Sequence, residues 1–188
     1  MYRGTWLLVG IPLLVAAFTV YRPNPLSEPE LQPQFDGAAA ALAAQGFAND
    51  FPVRTPGSPT AHDATNWVAE QLREFGLDTQ IDRFHAKIPG RGEVELENVR
   101  AVRAGRSNQI IVVVAHRDNS GASPGANDNG SGTAALIELA RSFAASRVPP
   151  QALAPNNTIL FLSSDGGAFG GLGAEHFASQ YQFRDRVG

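Results

Sequence analysis

Residues Gln109 to Gly132 read QIIVVVAHRDNSGASPGANDNGSG, and their order decides the fold. Ile110 to Ala115 is a continuous apolar, mostly β-branched run, the pattern of a strand buried on both faces. His116 and Asp118 stand where that strand ends. In open α/β sheets the crevice outside the carboxyl ends of the strands is where ligands bind, so polar groups delivered there are placed for chemistry. The loop that follows is rich in Gly, Ser and Asn and brings Asp128 back toward the same crevice. From Thr133 to Arg147, Leu136, Leu139, Ala140 and Phe143 recur at spacings of three and four, which predicts an amphipathic helix packed on the sheet.

A neutral imidazole and carboxylates within reach of one another form the usual ligand set for zinc, and a second carboxylate is able to bridge two ions. Each residue also has a plainer reading. Asp128 alone would be a turn or N-cap residue before a helix, and His116 alone a strand-end histidine bonded to backbone. The combination is more specific than either piece: His-x-Asp directly after a buried strand, then Gly-Ala-x-Asp-Asn-Gly-Ser-Gly directly before a helix.

With Val114 to Asp118, Pro124 to Gly132 and the upstream Arg54-Thr-Pro-Gly-Ser-Pro59, the sequence resembles the co-catalytic zinc aminopeptidases of metallopeptidase family 28 over residues 34–186. The resemblance implies a zinc exopeptidase-like α/β fold, with a mixed, largely parallel central sheet flanked by helices. It also implies two zinc ions and hydrolysis at peptide amino termini. In that frame His116 is a terminal zinc ligand, Asp118 the second-shell carboxylate that steadies it, and Asp128 the carboxylate bridging both metals. The peptide bond from Asp128 to Asn129 is expected to be cis.

The family's pattern breaks after the next strand. Thr158 to Ser163, TILFLS, reads as a second buried strand, parallel to the first because a helix joins them. At its end the family places Asp-Gly-Glu-Glu, whereas this chain has Asp165, Gly166, Gly167 and Ala168. Gly167 therefore occupies the general-base position and Ala168 a lost metal-ligand position. A general base alone contributes about 10² to 10⁴ in rate. Asp165 is no substitute, being the family's own Asp before Gly. Glu175 and His176 read as helix surface. The chain ends at Gly188, before the region from which the family supplies a further Asp and a last His. His116 and Asp128 are then the only family ligands present, and the expectation is one weakly held zinc or none, without turnover. Three readings stay open: the amino-terminal part of a zinc exopeptidase, a non-catalytic relative that binds peptide, or a structural ectodomain.

The domain plan is residues 1–21 as a membrane-directed segment, 22–34 as a Pro-rich linker and 35–188 as the folded domain. Residues 5–21 are almost wholly apolar with Arg3 before and Arg22 after. Their length falls on the border between a signal core of about 7 to 15 residues and a spanning helix of about 17 to 25. Ala17-Phe18-Thr19 is a poor cleavage site, which favours a membrane anchor with an extracytoplasmic domain over a cleaved signal and secretion. The stiff linker suits a domain held off a bilayer. Fifteen Lys and Arg against 18 Asp and Glu, net charge −3, leave no basic excess for a nucleic-acid partner. There is no cysteine, so a metal would rest on imidazole and carboxylate. Residues 35–46 predict a helix capped at Gly46, and 61–75 a second helix ending before Gly76 with Trp67 in the core. Thr79 to Lys87 and Glu93 to Arg103 predict a hairpin joined by residues 89–92. His62 and His85 read as helix and strand surface.

Overall fold

Strand pairing carries the architecture. In the computed structural model, which describes residues 35–144 and 154–180 together with Ile11, the chain runs α1 (Gly37–Asp50), α2 (Pro59–Glu74), β1 (Asp78–Ile88), β2 (Gly92–Arg103), β3 (Ser107–His116), α3 (Ser131–Phe143), β4 (Asn157–Ser164) and α4 (Leu172–Gln180). Apart from Ile11, the expected membrane-directed segment and the linker lie outside the described residues. No described helix is long and apolar enough to cross a membrane.

The strands stand in the order β1-β2-β4-β3. The hairpin expected from the two alternating runs is present, with Thr79 opposite Ala101 and Lys87 opposite Glu93. β2 pairs antiparallel with β4, and β4 pairs parallel with β3, Ile111 opposite Ile159 and His116 opposite Ser164. The two apolar runs are thus adjacent and parallel, as their connection through a helix requires. Among the described strands only this one pairing is parallel, so the sheet is mixed as expected but largely antiparallel rather than largely parallel. The long β1-β2 hairpin supplies the antiparallel part, because strands joined by a short turn have to run in opposite directions.

α1, α2 and α3 share one core with the sheet: Phe47, Val68, Leu72, Val99, Leu136 and Phe161 meet in it. Full burial of such a side chain is worth about 1.5 to 3 kcal/mol. On the other face α4 covers a smaller cluster in which Leu172 packs against Phe84, Ile88 and Leu96. Trp67 packs against the main core, as expected.

Local chemistry sets the helix starts. The Asp36 carboxylate accepts from the N–H of Ala38 and Ala39, and Ser58 caps α2 ahead of Pro59. Gly76, at φ +76°, closes α2. Two helix ends and the burial of one strand differ from the sequence reading. α1 runs through Gly46 to Asp50, because Phe47 and Ala48 are buried and the Phe47 ring lies 5.3 Å from both Phe51 and Trp67. Tertiary packing here outweighs the glycine. α3 ends at Phe143, where Ala144 turns to extended backbone, rather than at Arg147. β3 is not buried on both faces: Ile111 is 46% exposed and Val114 52%. Among the described strands it is an edge, and only β4, lying between β2 and β3, shows the near-complete burial its sequence promises.

Candidate functional site

The parallel register of β3 and β4 brings their carboxyl ends level, and the site forms there. His116 closes β3. Its Nδ1 lies 3.2 Å from the carbonyl oxygen of Asp118 and 3.4 Å from Asp118 Oδ1. Its Nε2 faces Asp128, 3.3 Å from Oδ1. The hydrogen bond to Asp118 holds the imidazole pKa above its ordinary value; desolvation opposes this and the carboxylates of Asp118 and Asp128 add to it. His116 and Asp128 do confront one another as the motif predicts.

Asp118 is fully buried, and both its oxygens are committed. Oδ1 accepts from the N–H of Gly167 at 2.8 Å and Oδ2 from that of Ala168 at 3.0 Å. The carboxylate therefore ties the loop after β4 to the end of β3, and it has no freedom to turn outward as a ligand.

Asp128 is 80% exposed and sits on the tight turn 126–130. Gly125 enters that turn at φ +62°, where a Cβ would fall 2.6 Å from the Asp128 carbonyl oxygen. The Gly125 carbonyl then accepts from the N–H of Gly130 at 2.9 Å. The Asp128–Asn129 peptide bond is cis, as the resemblance implies. The Asn129 side chain accepts from the N–H of Gly132 at the start of α3.

Two arginines to which sequence reasoning gave no role hold this frame. Arg54, fully buried, donates from Nε to the Arg117 carbonyl at 2.8 Å, from Nη1 to those of Phe51 and Pro124 at 2.6 and 2.8 Å, and from Nη2 to that of Gly125 at 3.1 Å. Its guanidinium also lies 4.7 Å from the centre of the Phe47 ring. Arg117 donates to Thr65 Oγ1, to the Ser163 carbonyl and to the Glu97 carbonyl, and stands 3.7 Å from Asp165. Burial lowers the pKa of both arginines, against the pull of nearby carboxylates. The signal in the sequence was there: an arginine directly at the end of an apolar strand is placed in the interior, where it needs acceptors.

Asp165 is engaged with Glu97, Gly166 and Arg117. It accepts from the N–H of Glu97 and of Gly166, and burial pushes its pKa up. It is therefore a structural acceptor and no replacement base. His176 is corrected from helix surface: it stacks on Phe84 with ring centres 3.8 Å apart and lies 3.2 Å from Asp82. His62 is exposed as expected, but its Nδ1 meets Glu97 at 3.0 Å. A cavity of about 340 Å³ opens beside His62, Glu97 and Asp165 at the amino end of α2. None of His116, Asp118 and Asp128 lines it.

The described residues do not fit a catalytic zinc, which takes three protein ligands and keeps one open position. Among the described residues no group of three His, Cys, Asp or Glu side chains is arranged to hold a metal. His116 Nε2 and Asp128 offer two donors. Asp118 is spent on backbone, and Gly167 and Ala168 contribute only N–H groups that Asp118 takes.

Residues 98–188 match Peptidase family M28. Leucine aminopeptidase 1 of Trichophyton rubrum is 30% identical over 127 residues, which are 63% of this chain and 34% of that protein. The chain thus spans about a third of that curated relative's length. A zinc aminopeptidase from Bacillus subtilis superposes with a TM-score of 0.71 at 14% identity, covering 84% of this chain and 68% of that one. A glutaminyl cyclase of Porphyromonas gingivalis does so at 0.69 and 22% identity, covering 79% and 54%. At such identities these two speak for the fold alone. With the His-x-Asp strand end, the returning Asp128 loop and the matched sequence in agreement, residues 98–188 of this chain belong to peptidase family M28.

Proposed function

We propose that this chain is a metallo-exopeptidase-like domain whose crevice holds peptide termini, or a single weakly bound zinc ion between His116 and Asp128, without hydrolysing peptides. The observation that carries this reading is the loop after β4: Gly167 and Ala168 present no carboxylate, and their N–H groups are bound to Asp118. Hydrolysis needs a group to take the proton from the attacking water and return it to the departing amine. No described side chain beside His116 and Asp128 is free for both tasks. The apolar segment 5–21 would tether the domain on the extracytoplasmic side of a membrane. Retention of the protein in the membrane pellet after alkaline extraction supports that tether, and release into the supernatant refutes it.

The named aminopeptidase among the relatives favours a second reading, a working zinc aminopeptidase in the native protein, with the missing groups supplied from outside the described residues. Release of anilide from amino-acyl anilides with added zinc, run beside a calorimetric zinc titration, separates the two. No turnover and at most one zinc per chain is expected. Metal-dependent hydrolysis abolished by His116→Ala would overturn the non-catalytic reading.

A further inference from the structure

The loop after β4 approaches the end of β3 more closely than a residue with a side chain would allow. A Cβ built on Gly167 falls 2.2 Å from both Cβ and Cγ of His116 and 2.7 Å from its Nδ1. Carbon atoms in contact sit about 3.5 to 4.0 Å apart. Turning the imidazole does not clear the overlap, since the His116 Cβ stays in place through any χ1 rotation. Nor is glycine needed here for its backbone freedom, because Gly167 is not among the glycines with positive φ. What the position requires is space. The close approach in turn lets the N–H groups of Gly167 and Ala168 reach the two Asp118 oxygens, and Asp118 meets His116 Nδ1.

We propose that Gly167 is a positioning residue for His116: the observed placement of the imidazole and any side chain at position 167 exclude one another. This deepens the preceding reading, on which it rests only for matching position 167 to the family's general base. The position is therefore not a vacancy that Gly167→Glu would refill. A side chain there has to push the loop off β3, which breaks the bonds to Asp118 and releases His116 from its orientation toward Asp128.

A double-mutant cycle on the full chain tests this. Gly167→Ala should lower Tm by about 5 °C or more, and it should cost nearly as much in a His116→Ala background, because the Cβ at 2.2 Å remains. In a His116→Gly background, which removes all three overlapping atoms, most of the loss should vanish. Imidazole resonances of His116 should move in Gly167→Ala and stay put in Val68→Ala, a core variant that loses stability at a distance from the site. Should Gly167→Ala fail to fold, folding of the His116→Gly, Gly167→Ala pair supports the proposal. Failure of that pair when His116→Gly alone folds overturns it. Equal losses in all three backgrounds, or a Gly167→Ala protein with unchanged Tm and unchanged His116 resonances, also overturn it. Aminopeptidase activity in the unmodified chain would refute the non-catalytic reading and leave the cycle untouched.

Discussion

Replacing Arg54 by methionine keeps much of the side chain's length and removes its donors, so it isolates what the guanidinium does. Four carbonyls lose a donor: Arg117, Phe51, Pro124 and Gly125. Gly125 retains the N–H of Gly130, which leaves three losses to count. At about 1 to 3 kcal/mol for a buried acceptor stripped of its partner, and less for the part-buried bonds to Phe51 and Pro124, the gross loss is at most roughly 3 to 9 kcal/mol. Against this stands relief of the buried cation, whose depressed pKa shows that its surroundings resist the charge. Breaking a buried charged network by removing one member costs about 3 to 5 kcal/mol net, and Arg54→Met should fall in that range. Domains are stable by about 5 to 15 kcal/mol, so the variant should still fold but with a much lower urea midpoint. Arg54→Lys should recover less than half of the loss, since one ammonium group cannot span acceptors set around a planar fork. The assay is urea denaturation of all three proteins, with amide exchange read at Gly130. A loss under about 1 kcal/mol for Arg54→Met, or full rescue by lysine, would refute the account of Arg54 as the clamp on the 117–125 loop.

Asp118→Asn should cost about 1 to 3 kcal/mol in urea denaturation, because an amide presents N–H to one of the two N–H groups of Gly167 and Ala168 that the carboxylate now accepts. Gly173→Ala should destabilise by about 1 to 3 kcal/mol and loosen α4, since its Cβ would meet Asn98 Oδ1 at 2.4 Å and the Asp165 backbone at 2.5 and 2.8 Å; thermal melting measures it. His116 has its pKa raised in the fold, so its contribution is fully present below its unfolded value, near about 6.5, and is lost as pH rises through the folded value. Wild type should therefore lose stability relative to His116→Gln on going from pH 6 to pH 8, and a gain over that interval would contradict the pairing with Asp118.

The sequence was most legible where one residue pattern had one physical solution. β4 is apolar throughout and lies between two strands, so its composition and its burial agree. β3 has the same composition yet leaves Ile111 and Val114 open, because an apolar run reports strand propensity without reporting how many neighbours the strand has. Gly46 reads as a helix stop, but Phe47 beyond it finds Phe51 and Trp67, and contacts distant in sequence set the real end. At the site the motif singled out His116, Asp118 and Asp128, and the fold does bring these three side chains together. It did not reveal that Asp118 spends both oxygens on backbone, nor that Gly167 lies against His116, because both facts depend on the distance between two strand ends.

The site and its frame have kept different things, and the asymmetry has a physical cause. The frame is complete: Arg54 and Arg117 lie buried with Asp118 and Asp165, and each makes hydrogen bonds to groups brought from distant parts of the chain. Losing any one of them would strand a charge or several acceptors in the interior, at a cost comparable to the whole stability of a marginal domain. Gly167 and Ala168, where the resemblance implies carboxylates for chemistry, carry no such penalty. A catalytic glutamate beside another carboxylate and a metal is held against its own repulsion when the metal is absent, so exchanging it for glycine or alanine relieves the fold. Once position 167 is glycine, the loop is able to close onto His116, and the N–H groups of Gly167 and Ala168 reach Asp118. The contacts made by that closure are centred on backbone N–H groups. On the non-catalytic reading proposed above, the same His-x-Asp strand end serves here as a clamp on backbone N–H groups, and the residue on which that difference turns is the one with no side chain.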